Sequence, residues 1–64
     1  MILLSEHNST TAEKKALVYY TDLGYLVNLY VNGKVFYRQT VQTLDAAEDF
    51  AESFISEKQQ LLSD

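Results

Sequence analysis

Asp45, Glu48, Asp49 and Glu52 bring four carboxylates together within one short segment. Such groups on adjacent helical turns are the raw material of metal ligation and of general acid–base chemistry. Carboxylate metal sites in helical bundles, however, draw ligands from facing helices and usually pair a Glu with a His one turn away. No histidine falls in this segment. The single histidine, His7, sits in the polar stretch Ser5-Glu6-His7-Asn8-Ser9-Thr10-Thr11, without Ser, Cys or Asp at a spacing that suggests an activated nucleophile. It reads as a solvent-exposed loop residue. The chain has no cysteine, which removes thiolate metal sites and disulfides. No catalytic residue, metal site or cofactor is expected, and the protein is read as a non-enzyme. The acidic group is read as a solvated helix face, with docking to a basic partner or mimicry of nucleic-acid charge as its other uses.

A second constellation is made of Asn28, Tyr30, Lys34, Phe36, Arg38 and Thr40. Aromatic rings stack on bases and cationic side chains neutralise phosphates, so these residue types on one surface suit nucleic-acid binding. The same aromatics serve equally to bury a surface against another protein. The net charge of −4 opposes a generic nucleic-acid binder, but it is unevenly spread. Glu6 and Glu13 give residues 1–13 a charge of −2; Lys14, Lys15, Lys34 and Arg38 against Asp22 give residues 14–43 a charge of +3. Residues 44–64 carry −5. Such asymmetry steers partners whatever the total.

The elements that must position these groups are marked by the chain's two glycines, Gly24 and Gly33. They divide a Val-, Tyr- and Leu-rich stretch into strands expected at about 15–21, 25–31 and 34–42. Thr43 is a good N-cap for a helix over 44–62, where Leu44, Ala47, Phe50, Ala51, Phe54, Ile55, Lys58 and Leu61 or Leu62 follow helical spacing. The fold class is α+β: a three-stranded antiparallel meander over 15–42 packed on one C-terminal amphipathic helix. Residues 1–13 form an N-terminal segment in which Met1 to Leu4 serve either as an extra edge strand or as cover for a dimer seam. Thr10 and Glu13 also match a capping box, which would favour a short helix over 11–17 against the strand-like Leu17-Val18-Tyr19-Tyr20.

Register decides which side chains face the helix, because a slip of one residue inverts a strand. Asn32-Gly33 closes either a type I′ turn pairing Val31 with Lys34, or a type I turn with Gly33 in a left-handed bulge pairing Tyr30 with Lys34. The bulge, repeated at Gly24, sorts the residues better. It sends Leu17, Tyr19, Tyr25, Val27, Leu29, Val35, Tyr37 and Val41 to the helix. It leaves Val18, Tyr20, Leu26, Asn28, Tyr30, Lys34, Phe36, Arg38 and Thr40 on an open face.

Sixty-four residues make one domain. A chain of this size buries only about 60% of the surface its unfolded form exposes, and without disulfides its usual remedy is oligomerisation. A homodimer is expected. No run approaches the ~20 apolar residues of a membrane span, so no membrane is expected as partner and the protein is read as soluble and cytoplasmic.

The segment Gly24-Tyr25-Leu26-Val27-Asn28-Leu29-Tyr30, followed by Gln42-Thr43-Leu44-Asp45-Ala46-Ala47-Glu48-Asp49-Phe50, resembles the small arm-type DNA-binding domains of tyrosine recombinases. Those domains carry an aromatic strand after a turn and a Thr-x-x-x-Ala pattern opening the helix. The resemblance covers residues 16–56 and implies a three-stranded sheet whose exposed face enters a DNA groove through Asn28, Tyr30, Lys34, Arg38 and Thr40. The acidic helix departs from that family's basic character. The sequence therefore favours a small binding or assembly protein that engages itself or a protein partner through the open sheet face. A nucleic-acid-binding accessory protein using the same face comes second, and an acidic inhibitor presenting its helix third.

Overall fold

The computed structural model describes residues 1–10 and 13–56. They form β1 (Ile2–Asn8), β2 (Lys14–Thr21), β3 (Gly24–Val31), β4 (Lys34–Val41) and α1 (Leu44–Ile55). The strands make one antiparallel sheet in the order β1-β2-β3-β4, and α1 lies across one face, mostly over β2 and β3. The α+β class and the meander-then-helix order are as expected, but the sheet has four strands rather than three. The added strand includes the polar residues Ser5 to Asn8 as well as the apolar start. An edge strand tolerates them because Glu6 and Asn8 face away from α1, while Ser5 and His7 find a polar partner on it. The capping-box helix is not formed from Lys14 onward, where β2 begins; Thr11 and Ala12 lie outside the described residues.

Thr43 caps α1 as expected. Its backbone is extended, and its hydroxyl accepts from the Ala46 amide at 3.1 Å, a contact worth about 1 kcal/mol. The expected continuation of the helix to residue 62, with Lys58, Leu61 and Leu62, falls outside the described residues. Ala47 and Ala51, one turn apart, let the helix backbone approach Ala16, Val18, Val27 and Leu29, and these six are the buried hydrophobic residues among those described. Phe50 and Phe54 extend this contact toward β4, where Phe50 meets Tyr37 edge-on at 6.1 Å.

Neither turn follows the favoured bulge. Asn32 (φ 54°) and Gly33 (φ 84°) both adopt left-handed backbone, and Val31 pairs with Lys34, which is the type I′ turn. The irregularity falls instead at Phe36, the extra residue between the Tyr30–Val35 and Leu29–Tyr37 pairs. At the other hairpin Thr21 pairs directly with Gly24, leaving only Asp22 and Leu23 in the turn. The Thr21 hydroxyl closes it, accepting from the Leu23 amide at 3.1 Å and donating to the Gly24 carbonyl at 3.0 Å. Gly24 is needed both for its backbone, with φ 133°, and for space, since a Cβ there would lie 2.7 Å from the Val41 carbonyl oxygen.

These turns invert β2 relative to expectation. Val18 opposes Val27 and Ala16 opposes Leu29 under the helix, so Leu17 and Tyr19 belong to the open face, whereas Val18 and Tyr20 leave it. On β4 the Phe36 bulge restores the expected phase beyond it: Tyr37 and Val41 face the helix and Arg38 and Thr40 the open side. Before the bulge the phase is opposite, so Val35, opposite Tyr30, moves to the open face and Lys34, opposite Val31, leaves it.

Candidate functional site

The side of the sheet opposite α1, which no described residue covers, is ordered into three cross-strand rows by the ladder pairings. Leu3, Tyr19, Leu26 and Thr40 form the first; Glu6, Leu17, Asn28 and Arg38 the second; Asn8, Lys15, Tyr30 and Val35 the third. Successive Cβ atoms alternate across a strand, so the residues of these rows project from the side opposite α1. Leu17, Tyr19, Leu26 and Tyr30 are half-buried by one another, and Leu3 and Val35 are exposed apolar groups at the two rims. No described residue of α1 covers them.

Asn28 lies in the interior of this surface. It is only 9% exposed, and its Oδ1 has no hydrogen-bond partner among the described residues. A buried acceptor left unmet costs roughly 1–3 kcal/mol. Arg38 stands directly across from it on β4, exposed and likewise without a hydrogen-bond or ion-pair partner among the described residues. At the opposite rim Glu6 lies 3.7 Å from the Lys15 ammonium and accepts from Asn8 Nδ2 at 3.2 Å.

Of the residues read from the sequence as one binding surface, the structure brings Asn28, Tyr30, Arg38 and Thr40 together. Phe36 is not with them. Turned toward α1 by its bulge, it stacks on Phe54 with ring centroids 6.0 Å apart and planes 20° from parallel. Lys34 sits at the hairpin tip, in phase with the core residues of β3. Lys15, Leu17, Tyr19 and Val35, along with Glu6, take part instead. Thr21, placed to cap a two-residue loop, was the sequence signal for the β2 register that brings Leu17 and Tyr19 here.

The acidic group also divides. Asp45, Asp49 and Glu52 are exposed, but Glu48 is half-buried against β1. Its Oε2 accepts from the Ser5 hydroxyl at 2.7 Å, and its Oε1 is 2.8 Å from His7 Nε2. His7 is thus a half-buried bridge between β1 and α1 rather than an exposed loop residue. Ser5, His7 and Glu48 are residue types of a hydrolytic triad, but the geometry differs from one. Both Ser5, at 3.4 Å, and Glu48 contact the same imidazole nitrogen, so the carboxylate does not orient the ring from its far side. His7, Glu48 and Glu52 each offer a metal-ligating atom, and these lie within 4.8 Å of one another. Ligand atoms around a tetrahedral zinc at bonds of about 2.0–2.1 Å stand roughly 3.3 Å apart. The 2.8 Å His7–Glu48 separation is that of a hydrogen bond, and Glu48, bonded to both Ser5 and His7, clamps the edge strand to the helix.

Comparison with protein-family models, curated proteins and solved structures finds no match to this chain. No helix among the described residues is long and apolar enough to cross a membrane.

Proposed function

We propose that this protein is a non-enzymatic assembly protein that works as a homodimer through the sheet face opposite α1. The observation that carries this reading is Asn28, a buried polar group with an unmet acceptor among the half-buried Leu17, Tyr19, Leu26 and Tyr30 at the centre of that face. Covering the face would exclude water from Arg38 and favour its guanidinium donating to Asn28 Oδ1, removing the unmet acceptor. The core points the same way. Among the described residues the six buried hydrophobic ones include three alanines and nothing larger than leucine.

The face is less suited to nucleic acid than the sequence implied. Lys34 and Phe36 are off it and Lys15 is engaged by Glu6, which leaves Arg38 as its one cation without an acidic partner among the described residues. Phosphate-driven binding needs several such groups.

Light scattering and sedimentation over a range of concentrations test the proposal. The wild-type chain is expected to dimerise. Leu3→Asp with Val35→Asp, both exposed at the rims of the face, is expected to give a folded monomer. Phe36→Ser, equally accessible but on the helix side, is expected to leave the dimer intact. A wild-type monomer at every concentration up to about millimolar, a range that includes weak interfaces, overturns the reading. So does association abolished by Phe36→Ser and untouched by the paired rim substitutions.

A further inference from the structure

The row Glu6, Leu17, Asn28, Arg38 runs across all four strands as acid, apolar, amide, base. Resting on the homodimer reading, we propose that the two copies pack face to face about a two-fold axis parallel to the strands, with Glu6 of each chain against the partner's Arg38. The result is a four-layer helix–sheet–sheet–helix particle.

Charge and symmetry together select this packing. Two sheets meeting through the same face are related by a two-fold lying between them. If the axis runs along the strands, it reverses the order of strands and keeps the rows level. The row is then read backwards on the partner: acid meets base at both ends, and Leu17 lies over Asn28 of the other copy. In the adjacent rows no like charges meet, and Asn8 lies over Val35. Tyr19 meets Leu26, Leu3 meets Thr40, and the Lys15 ammonium comes over the Tyr30 ring, a favourable cation–π arrangement. If the axis instead runs across the strands, each strand lies over its own copy, with Glu6 facing Glu6 and Arg38 facing Arg38. Like charges then meet at both rims, and that arrangement is disfavoured.

The dimensions permit the first packing. Stacked sheets sit about 10 Å apart with strand directions about 30° from aligned. With strands ~4.8 Å apart, that angle displaces the row ends by roughly 4 Å, which the long Arg38 side chain spans. A four-stranded face about 19 Å wide and 23 Å long gives two copies some 900 Å² before corrugation, just under the ~1,000 Å² floor for specific interfaces and in the range of a weak one.

Charge exchange between chains tests the arrangement. Glu6→Arg alone and Arg38→Glu alone each place like charges at both ends of the row, and each is expected to weaken homodimerisation by about tenfold or more. The single variants decide the axis, because with the axis across the strands the wild-type rims already carry like charges and neither substitution would weaken the dimer. An equimolar mixture of the two variants then tests whether opposite charge restores association. One chain then carries two cations in the row and the other two anions, so a heterodimer is expected where neither variant dimerises well alone. The double variant Glu6→Arg with Arg38→Glu is expected to dimerise like wild type. Circular dichroism of each variant establishes that it is folded, and Arg38→Gln, which carries no reversal, is expected to weaken the dimer less than Arg38→Glu. If the wild type dimerises but neither single variant weakens the dimer, or the mixture forms no heterodimer, the proposed axis is wrong and the homodimer reading stands. If the wild type is monomeric throughout, both fall.

Discussion

Glu48 on the helix binds His7 on the edge strand, with Oε1 and Nε2 2.8 Å apart. The same carboxylate holds Ser5, so one helical residue fixes two inward-facing positions of β1. Few apolar contacts serve this purpose, since Met1, Ile2, Leu3 and Leu4 are all exposed. A half-buried hydrogen bond to a charged group contributes about 1–2 kcal/mol. His7→Ala is therefore expected to loosen β1 selectively. Its amides should exchange with solvent about 5- to 30-fold faster while those paired between β2 and β3 change little. Glu48→Gln, which keeps an acceptor for Ser5, is expected to have a smaller effect. Uniform acceleration across the sheet would show that the clamp supports the whole fold rather than its edge.

This clamp was illegible in the sequence for a physical reason. Ser5 and His7 alternate onto one face only if residues 2–8 are a strand, and polar edge strands carry little of the apolar alternation by which strands are recognised. Their partner Glu48 is 41 residues from His7 in sequence. The helix start was legible because Thr43 and the Leu44–Ala47–Phe50–Ala51 spacing are local signals. So was the position of both hairpins. The register was harder. Gly33 accommodates both the bulge and the type I′ turn, and what selects between them is a displacement at Phe36 that allows both Phe36 and Tyr37 to meet the helix phenylalanines. That selection is tertiary, and it moved Phe36 and Lys34 off the candidate surface while leaving Asn28, Tyr30, Arg38 and Thr40 on it.

The two glycines, similar as turn signals, should respond differently to a methyl group. At Gly24 the backbone has φ +133°, and an added Cβ would lie 2.7 Å from the Val41 carbonyl oxygen, so the end of β4 would have to move. At Gly33 the φ is +84° and nothing lies within 4 Å. Gly33→Ala then costs only the left-handed backbone penalty of about 1–2 kcal/mol. Gly24→Ala adds displacement of the paired strand and is expected to cost about 2–4 kcal/mol. In a domain this small each kcal/mol lowers the melting temperature by about 4–8 °C. Thermal unfolding at one fixed protein concentration reads the difference, and equal losses at the two sites would contradict the close approach at Val41.

Asn28 offers the sharpest separation between folding and assembly. In the isolated chain its Oδ1 is buried without a partner among the described residues, so an apolar strand-former in its place removes a cost. Asn28→Val, made in the monomeric background of Leu3→Asp with Val35→Asp, is expected to raise unfolding stability by about 1 kcal/mol. The change should appear as a higher urea midpoint at unchanged slope. In the otherwise wild-type chain the same substitution removes the acceptor available to Arg38 when the face is covered, and dimerisation is expected to weaken. Stability and association should thus move in opposite directions. If Asn28→Val destabilises the monomer instead, the carbonyl is already satisfied in the single chain, and the main support for a covered face is lost.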